Sequence, residues 1–246
     1  MIAGVRFASV AFAVFCALPL LMMAAMPQAD KIPGTGGDIT IQPINHATLQ
    51  LVHANHVIDV DPVPQADFTG LPAPTIILVT DIHGDHMDAG TIAKLRQAST
   101  KVVAPQAVIA AAKLDGAIAL ANGETKTVDG ISIEAVPMYN TTPARQQFHT
   151  KGRGNGYVLT IGGKRIYIAG DTEGTPEMRA LKNIDVAFIP MNLPYTMTPD
   201  EAAEAVKAFG PKIVYPYHYK GSDPTIFANA LKGLPIDVRI RDWYGK

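Results

Sequence analysis

Residues 75–88 read TIILVTDIHGDHMD: a continuous run of β-formers gives way to three aspartates and two histidines within eight positions. An unbroken apolar run of this kind fits a strand covered on both faces, so its sheet needs further layers on either side. A chain with only 17% charged residues has little reason to crowd such side chains at a strand end unless they act together. Side chains in a turn leaving a strand splay apart, so Asp81, His83, Asp85 and His86 could close around two neighbouring ions, with Gly84 allowing the tight turn. Carboxylate oxygen and imidazole nitrogen together suit zinc, manganese or iron. A capped helix start, with Asp88 as N-cap and the rest solvated, would leave the pairing of histidines with carboxylates unexplained.

The rest of the chain supplies the layers. From Asp88 to Ala98 the spacing turns helical, with Ile92, Leu95 and Ala98 on one face. KVVA and PQAVIAAAKL repeat the strand–helix alternation, with Pro105 suited to a first helical turn. Upstream, ITIQPI, ATLQLVH and HVIDVDP are short β-like runs bounded by Asn, Asp or Pro. The middle is β-rich again, with Gly162-Gly163 marking a hairpin and a long polar loop between Met138 and Asn155, a length usually functional or mobile. Beyond Gly170, strands DVAFIP, KIVYPY and DVRI alternate with helices near 175–183, 198–209 and 224–232. No internal repeat stands out, yet both halves run from strand-rich to strand–helix. That pattern predicts sheets packed together with helices outside, a layered α/β sandwich.

The first thirty residues look different. One positive side chain, Arg6, precedes an uncharged apolar run from Phe7 to Met26. This is the layout of a secretory signal, and the run is long enough to span a bilayer as an uncleaved anchor. Ala24, Ala25 and Ala29 offer cleavage points, and the lone Cys16 lacks a lipoprotein context. The remainder is expected to be exported, periplasmic or extracellular, with membrane contact only through this N-terminal segment. Residues 31–37 read as a Pro/Gly tether, and 38–246 as one domain. No cysteine lies beyond position 16, so disulfides contribute nothing there. A net charge of −1 without a Lys/Arg run argues against a nucleic-acid partner and leaves a small-molecule substrate.

DIHGDHMD resembles the H-x-H-x-D-H signature of the metallo-β-lactamase superfamily. Later matches fall in order. IYIAGDTEGTPEM (166–178) is similar to the strand-ending G-D-T whose aspartate bridges two metals, and IVYPYHY (213–219) to the final strand-ending histidine. VPMYN…FHTKGRGNGYVL, IDVAFIP and MTPDEAAEAVKAFGPK resemble the lactonase-like and phospholipase-like branch, so the resemblance spans about residues 38 to 240. It implies a four-layer αββα sandwich and two divalent metal ions, zinc foremost, with manganese or iron as alternatives. By position, Asp85, His86 and His218 would hold one ion, Asp81, His83 and a third ligand the other, with Asp171 bridging. The implied activity is that of an exported binuclear hydrolase whose metal-bound hydroxide attacks an ester, lactone or phosphodiester. Asp171 would orient the nucleophile. Asp85 would handle protons at most weakly, being itself a ligand.

Two departures bear on that reading. Asp81 stands where a histidine is usual. Three carboxylates and a bridging hydroxide would formally neutralise two divalent ions, lowering Lewis acidity and favouring manganese or iron. The place of the usual middle histidine, after ISIEAVP, reads Tyr139-Asn140. His149 in the long loop is then a substitute ligand or a substrate contact, unless Asn140 itself binds or orients a ligand. The missing histidine also counts against a β-lactam substrate, while a non-catalytic metal-binding scaffold of the same fold stays open. An oxygen-reducing di-iron relative would need a glutamate in the first motif, where His83 stands. His46 in NHATL resembles the stretch near the first hairpin of these domains, where a polar residue lies beneath the metals, but reads rather as a satisfied core histidine; His53 and His56 read as solvent-facing. Asp61 reads as either the partner of a ligating imidazole or a turn-forming Asp-Pro. Tyr195, Met197, Tyr217 and Tyr219 belong to the core or the pocket wall.

Overall fold

The computed structural model describes residues 1, 4 and 27–245. Its first sheet holds β1 (Asp30–Gly34), β2 (Gly37–Asn45), β3 (Thr48–His53), β4 (His56–Val60), β5 (Ile76–Leu78), β6 (Lys101–Ala104) and β7 (Ile118–Ala119) in chain order. The first four strands form an antiparallel meander. From β4 onward the pairing is parallel, with α1 (Ala89–Leu95) and α2 (Gln106–Ala112) making the crossovers. The second sheet repeats the plan. Antiparallel β8 (Thr125–Val128), β9 (Ile131–Met138), β10 (Gly154–Ile161) and β11 (Lys164–Ile168) are followed by parallel β12 (Val186–Pro190), β13 (Ile213–Tyr217) and β14 (Asp237–Val238). Helices α3 (Pro176–Arg179), α4 (Pro199–Phe209) and α5 (Pro224–Ala230) connect these last strands. The likeness of the two halves, visible in the sequence only as a drift in character, is a shared topology.

Three buried clusters make the layers. Between the sheets, Leu49, Leu51, Ile58 and Leu78 meet Ile133, Leu159, Phe188 and Trp243. Outside the first sheet, Ile77, Val79 and Val102 pack on Ile92 of α1 and Val108 of α2. Outside the second, Tyr167, Ala187 and Ile189 pack on Ala202 and Val206 of α4 and Phe227 of α5. Successive residues of β5 thus face alternate layers, both apolar, which is why its sequence does not alternate. The result is the expected αββα sandwich. Local signals hold it in register: Asp88 caps α1 by accepting from Thr91 N at 2.6 Å, and Thr198 with Glu201 forms a capping box at α4. Helix α1 stops at Leu95 rather than Ala98, and Pro105 occupies the N-cap of α2 rather than its first turn.

Residues 31–37 are not a tether. Asp30 to Gly34 pair with Ile41 to Gly37 across a hairpin whose Gly36 and Gly37 have φ of 86° and 130°. Pro33 is tolerated because β1 is the edge of its sheet. The ordered domain therefore begins by Asp30, not 38. The proposed signal or anchor falls largely on residues 5–26, outside those described. Among the described residues, no helix is long and apolar enough to cross a membrane. His53 is buried rather than solvent-facing, packed where a Cβ on Gly162 would meet its ring.

One buried acid stands apart from the ligand clusters. Asp59 in β4 accepts from Gln50 Nε2 at 2.7 Å, while Asp59 Oδ2 and Gln50 Oε1 have no hydrogen-bond partner. Burial pushes Asp59 up to about 7, with the Gln50 bond offsetting only part. A native value above the unfolded 3.8 means that the folded state binds more protons between about pH 4 and 7, so stability falls across that window. Asp59→Asn removes the charge and offers an N–H to Gln50 Oε1. Urea melts should show it stabilised by on the order of 2–4 kcal/mol at pH 8 and little changed at pH 4.

Candidate metal centre

Every chemistry-bearing strand end converges on one rim of the sandwich. Asp81, His83, Asp85 and His86 follow β5, Asp171 follows β11, His218 follows β13, and His149 comes from the 139–153 loop between β9 and β10. They form two groups whose ligand atoms lie within 4.8 Å of one another: Asp85, His86, Asp171 and His218, and beside them Asp81, His83 and His149. In the first, His218 Nε2 lies 3.3 Å from Asp85 Oδ2 and 3.2 Å from Asp171 Oδ1, and His86 Nε2 lies 3.2 Å from Asp171 Oδ2. In the second, Asp81 Oδ2 lies 2.7 Å from His83 Nδ1 and 3.6 Å from His149 Nε2. Asp171 Oδ2 is also 3.3 Å from His149 Nε2, so Asp171 touches both groups. His86 Nε2 and Asp171 Oδ1 are buried, close to opposite charges, and yet unsatisfied by any hydrogen bond. Atoms that approach without aligning suit ligation of a common centre better than pairing with each other, and the residues fit two divalent ions.

The surrounding residues fix which nitrogen faces inward. Asp61 Oδ1 accepts from Thr80 N at 2.7 Å, and its Oδ2 accepts from Thr80 Oγ1 at 2.6 Å and lies 2.8 Å from His86 Nδ1. A proton on Nδ1 leaves His86 Nε2 as the lone-pair donor. Of the two readings of Asp61, the orienting partner is therefore the one realised. His149 is set likewise: its Nδ1 lies 3.1 Å from Tyr195 O, and Nε2 points inward. Asn140 does not enter either group. It donates from Nδ2 to Tyr195 O at 2.7 Å and Arg145 O at 3.0 Å, and its backbone N–H bonds His149 O at 2.9 Å. Asn140 braces the loop; His149 reaches the centre.

Backbone conformation contributes too. Three residues at or beside the centre, His46, Asp61 and His218, have φ near 50°, the left-handed region that His and Asp enter more readily than most residues. Such positions persist where surrounding bonds enforce them; here His218 N donates to His46 O and Asp61 N to Leu78 O. Gly170, with φ of 65°, lies so close to Met138 Sδ that any side chain would collide, which explains the glycine of G-D-T. Gly84 lies in the expected tight turn, closed by His86 N donating to His83 O at 3.0 Å, but its φ is not positive and the space beside it is open. Its missing side chain enlarges the cavity instead.

Electrostatics match a cation-binding role. Burial opposes charge on Asp171, but His218 and His86 outweigh it and hold the carboxyl well below the usual range. Burial likewise opposes charge on His86, and the Asp171 and Asp61 carboxylates draw it well above an ordinary imidazole. Asp85 is also held low, by His218 and His46 against the cost of burial, so its carboxyl is a poor reservoir for a proton near neutral pH. Asp61→Asn would present an amide N–H to His86 Nδ1 and favour the tautomer with its proton on the ligating nitrogen. Metal affinity is expected to fall about 10–100-fold, read by titrating metal-free protein with a competing chelator.

Several participants were not legible beforehand. His46, expected in the core, sits at the rim with Nδ1 2.9 Å from Tyr244 OH and Nε2 3.3 Å from Asp85 Oδ2. Arg153 reaches Asp81. Glu173 ties down the long loop, accepting from Thr141 N, Thr142 N and Arg145 Nη1 at 2.6–2.7 Å. Tyr195 and Tyr219 line a cavity of about 840 Å³ beside Asp85 and His218. Met197 and Tyr217 are buried in the core, where the Tyr217 hydroxyl accepts from Gly170 N at 2.8 Å.

The chain's relatives carry the same description. The profile of the Beta-lactamase superfamily domain matches residues 55–219. A UPF0173 metal-dependent hydrolase of Symbiobacterium thermophilum is 33% identical over 219 residues, 81% of this chain and 91% of that protein. A crystal structure from Parabacteroides distasonis, provisionally described as a metal-dependent hydrolase, is 47% identical with a TM-score of 0.83, covering 87% of this chain and 98% of that one. The metallo-β-lactamase-fold protein YhfI of Bacillus subtilis, 16% identical with a TM-score of 0.65 over 88% of this chain and 96% of its own, shares the fold. The chain belongs to the metallo-β-lactamase superfamily and, within it, to the UPF0173 family of metal-dependent hydrolases.

Proposed function

We propose that this hydrolase uses two divalent ions to cleave a small ester, lactone or phosphodiester. The observation that carries the reading is the buried Asp171 carboxylate shared by two His/Asp groups, one of which lines an open cavity through Asp85 and His218. Bound there, the ions would supply a water acidified towards hydroxide near neutral pH and Lewis-acid polarisation of the scissile group. The chain's part is to hold and orient. Asp171 fixes the spacing of the two groups, Asp61 and the Tyr195 carbonyl set the imidazole tautomers, and Glu173 keeps the His149 loop in place. The cavity volume is in the range of small-molecule sites. Among its lining residues Lys220 is the one lysine or arginine, and Tyr195, Tyr219 and Tyr244 give it an aromatic wall. That lining suits a substrate with one anionic and one apolar part. Arg6 and the apolar run 7–26 support action outside the cytoplasm, tested by fractionation and N-terminal sequencing of the recovered protein.

Protein of measured metal content would be offered p-nitrophenyl esters, a γ-lactone and bis-p-nitrophenyl phosphate, with a cephalosporin as comparator. Turnover of one of the first three, abolished by chelator and regained with added divalent metal, is the expected result. Protein that keeps both ions but turns over none of them, or prefers the cephalosporin, overturns the reading.

A further inference from the structure

Asp81 is fully buried, and both of its oxygens are engaged by one guanidinium. Arg153 Nε lies 3.2 Å from Oδ1 and Nη2 3.1 Å from Oδ2, a two-point fork. Arg153 is itself fixed, donating from Nη2 to Phe148 O and from its backbone N–H to Thr150 O, and Nη2 lies 3.4 Å from His83 Nε2. Among the described residues it makes no other ion pair. A permanent cation next to imidazoles that would hold another cation is unfavourable unless it answers a charge already there.

The charge it answers is that of Asp81. Asp81, Asp85 and Asp171 leave two divalent ions with one formal positive charge. Arg153 raises this to two, the value that a neutral imidazole at position 81 would leave with no arginine nearby. A carboxylate has about four lone-pair sites, so a fork taking one on each oxygen leaves others facing His83 and His149. We propose that Arg153 is a positioning residue that orients Asp81 and balances its charge, making an aspartate serve at this ligand position as a neutral histidine would. The proposal rests on the reading that Asp81, His83 and His149 hold an ion. It also removes the reason for expecting a weakened Lewis acid at that place, since the added negative charge is cancelled beside it.

The test is a metal titration of metal-free full chain with Zn²⁺ and with Mn²⁺, reading stoichiometry by atomic emission and stepwise affinities by calorimetry. Wild type, Arg153→Met, Arg153→Lys, Asp81→His and the Asp81→His/Arg153→Met double variant are compared, with thermal midpoints of the metal-free proteins as a fold control. Arg153→Met should weaken the second ion about 10–100-fold and the first little, and Arg153→Lys should recover part of the loss. In the Asp81→His background the sign should invert, with loss of Arg153 strengthening the second ion about tenfold. Equal harm in both backgrounds would make Arg153 merely structural and overturn the proposal, as would no change in either. One ion in wild type and two in Arg153→Met would mean that the guanidinium stands in the ion's place, which also overturns it. A single ion in all five proteins would overturn the two-ion reading and the proposal with it.

Discussion

Asp171→Ala is expected to leave at most one ion per chain and to lower hydrolytic turnover by at least about a thousandfold. The reason is that Asp171 belongs to both groups. His218 and His86 approach its two oxygens at 3.2 Å, and His149 approaches at 3.3 Å. Without the carboxylate, three imidazoles surround a gap with no anion between them, and each ion loses a ligand at the same time. The metal-free protein should suffer as well, because burial makes charge on His86 unfavourable except for Asp171 and Asp61. Breaking such a buried cluster by removing one partner costs about 3–5 kcal/mol, which urea melts of metal-free protein would register. Asp171→Asn keeps the shape and drops the charge, so it separates ligand loss from cavity formation. Two ions retained by either variant would contradict the shared role.

The parts of this centre that sequence made visible are those in which ligands follow a strand directly. DIHGDHMD after a two-sided apolar run, GDT after IYIA and the histidine after IVYPY each announce both the strand and its end, and all three arrive at the same rim. What stayed hidden depends on partners far apart in the chain. Arg153 lies 72 residues from Asp81, and His46 finds Tyr244 across 198. Nothing in GRGN carries the sign of those contacts, and NHATL carries only its resemblance to a polar stretch beneath the metals. The misreadings have local causes. KIPGTGGD has the composition of a linker, but an edge strand accepts a proline and a hairpin turn needs glycines. His53 has the alternation of an exposed position, yet a neighbouring hairpin covers it. Gly84 sits in the tight turn it suggested, with an ordinary conformation, and adds the space it leaves.

His149→Ala is expected to reduce the metal content from two ions to one while leaving the first group filled. Its Nε2 lies 3.2 Å from His83 Nδ1 and within ion-pair distance of Asp81 and Asp171, so its loss leaves only Asp81, His83 and the shared Asp171 carboxylate to define the second group. Asp81 and the half-exposed His83, with only a share of the Asp171 carboxylate, do not hold a divalent ion tightly against water, and affinity there should fall by at least about a hundredfold. Asn140→Ala provides the contrast. Asn140 meets the centre only through the loop and His149, by bonds to Arg145 O, Tyr195 O and His149 O and with Nδ2 3.3 Å from His149 Nδ1. Its removal should lower the thermal midpoint and loosen the second ion about tenfold without changing the stoichiometry at saturating metal. Calorimetric titrations of both variants decide the matter. One ion lost from the Asn140 variant and none from the His149 variant would reverse the assignment, making the amide the ligand and the histidine a contact for substrate.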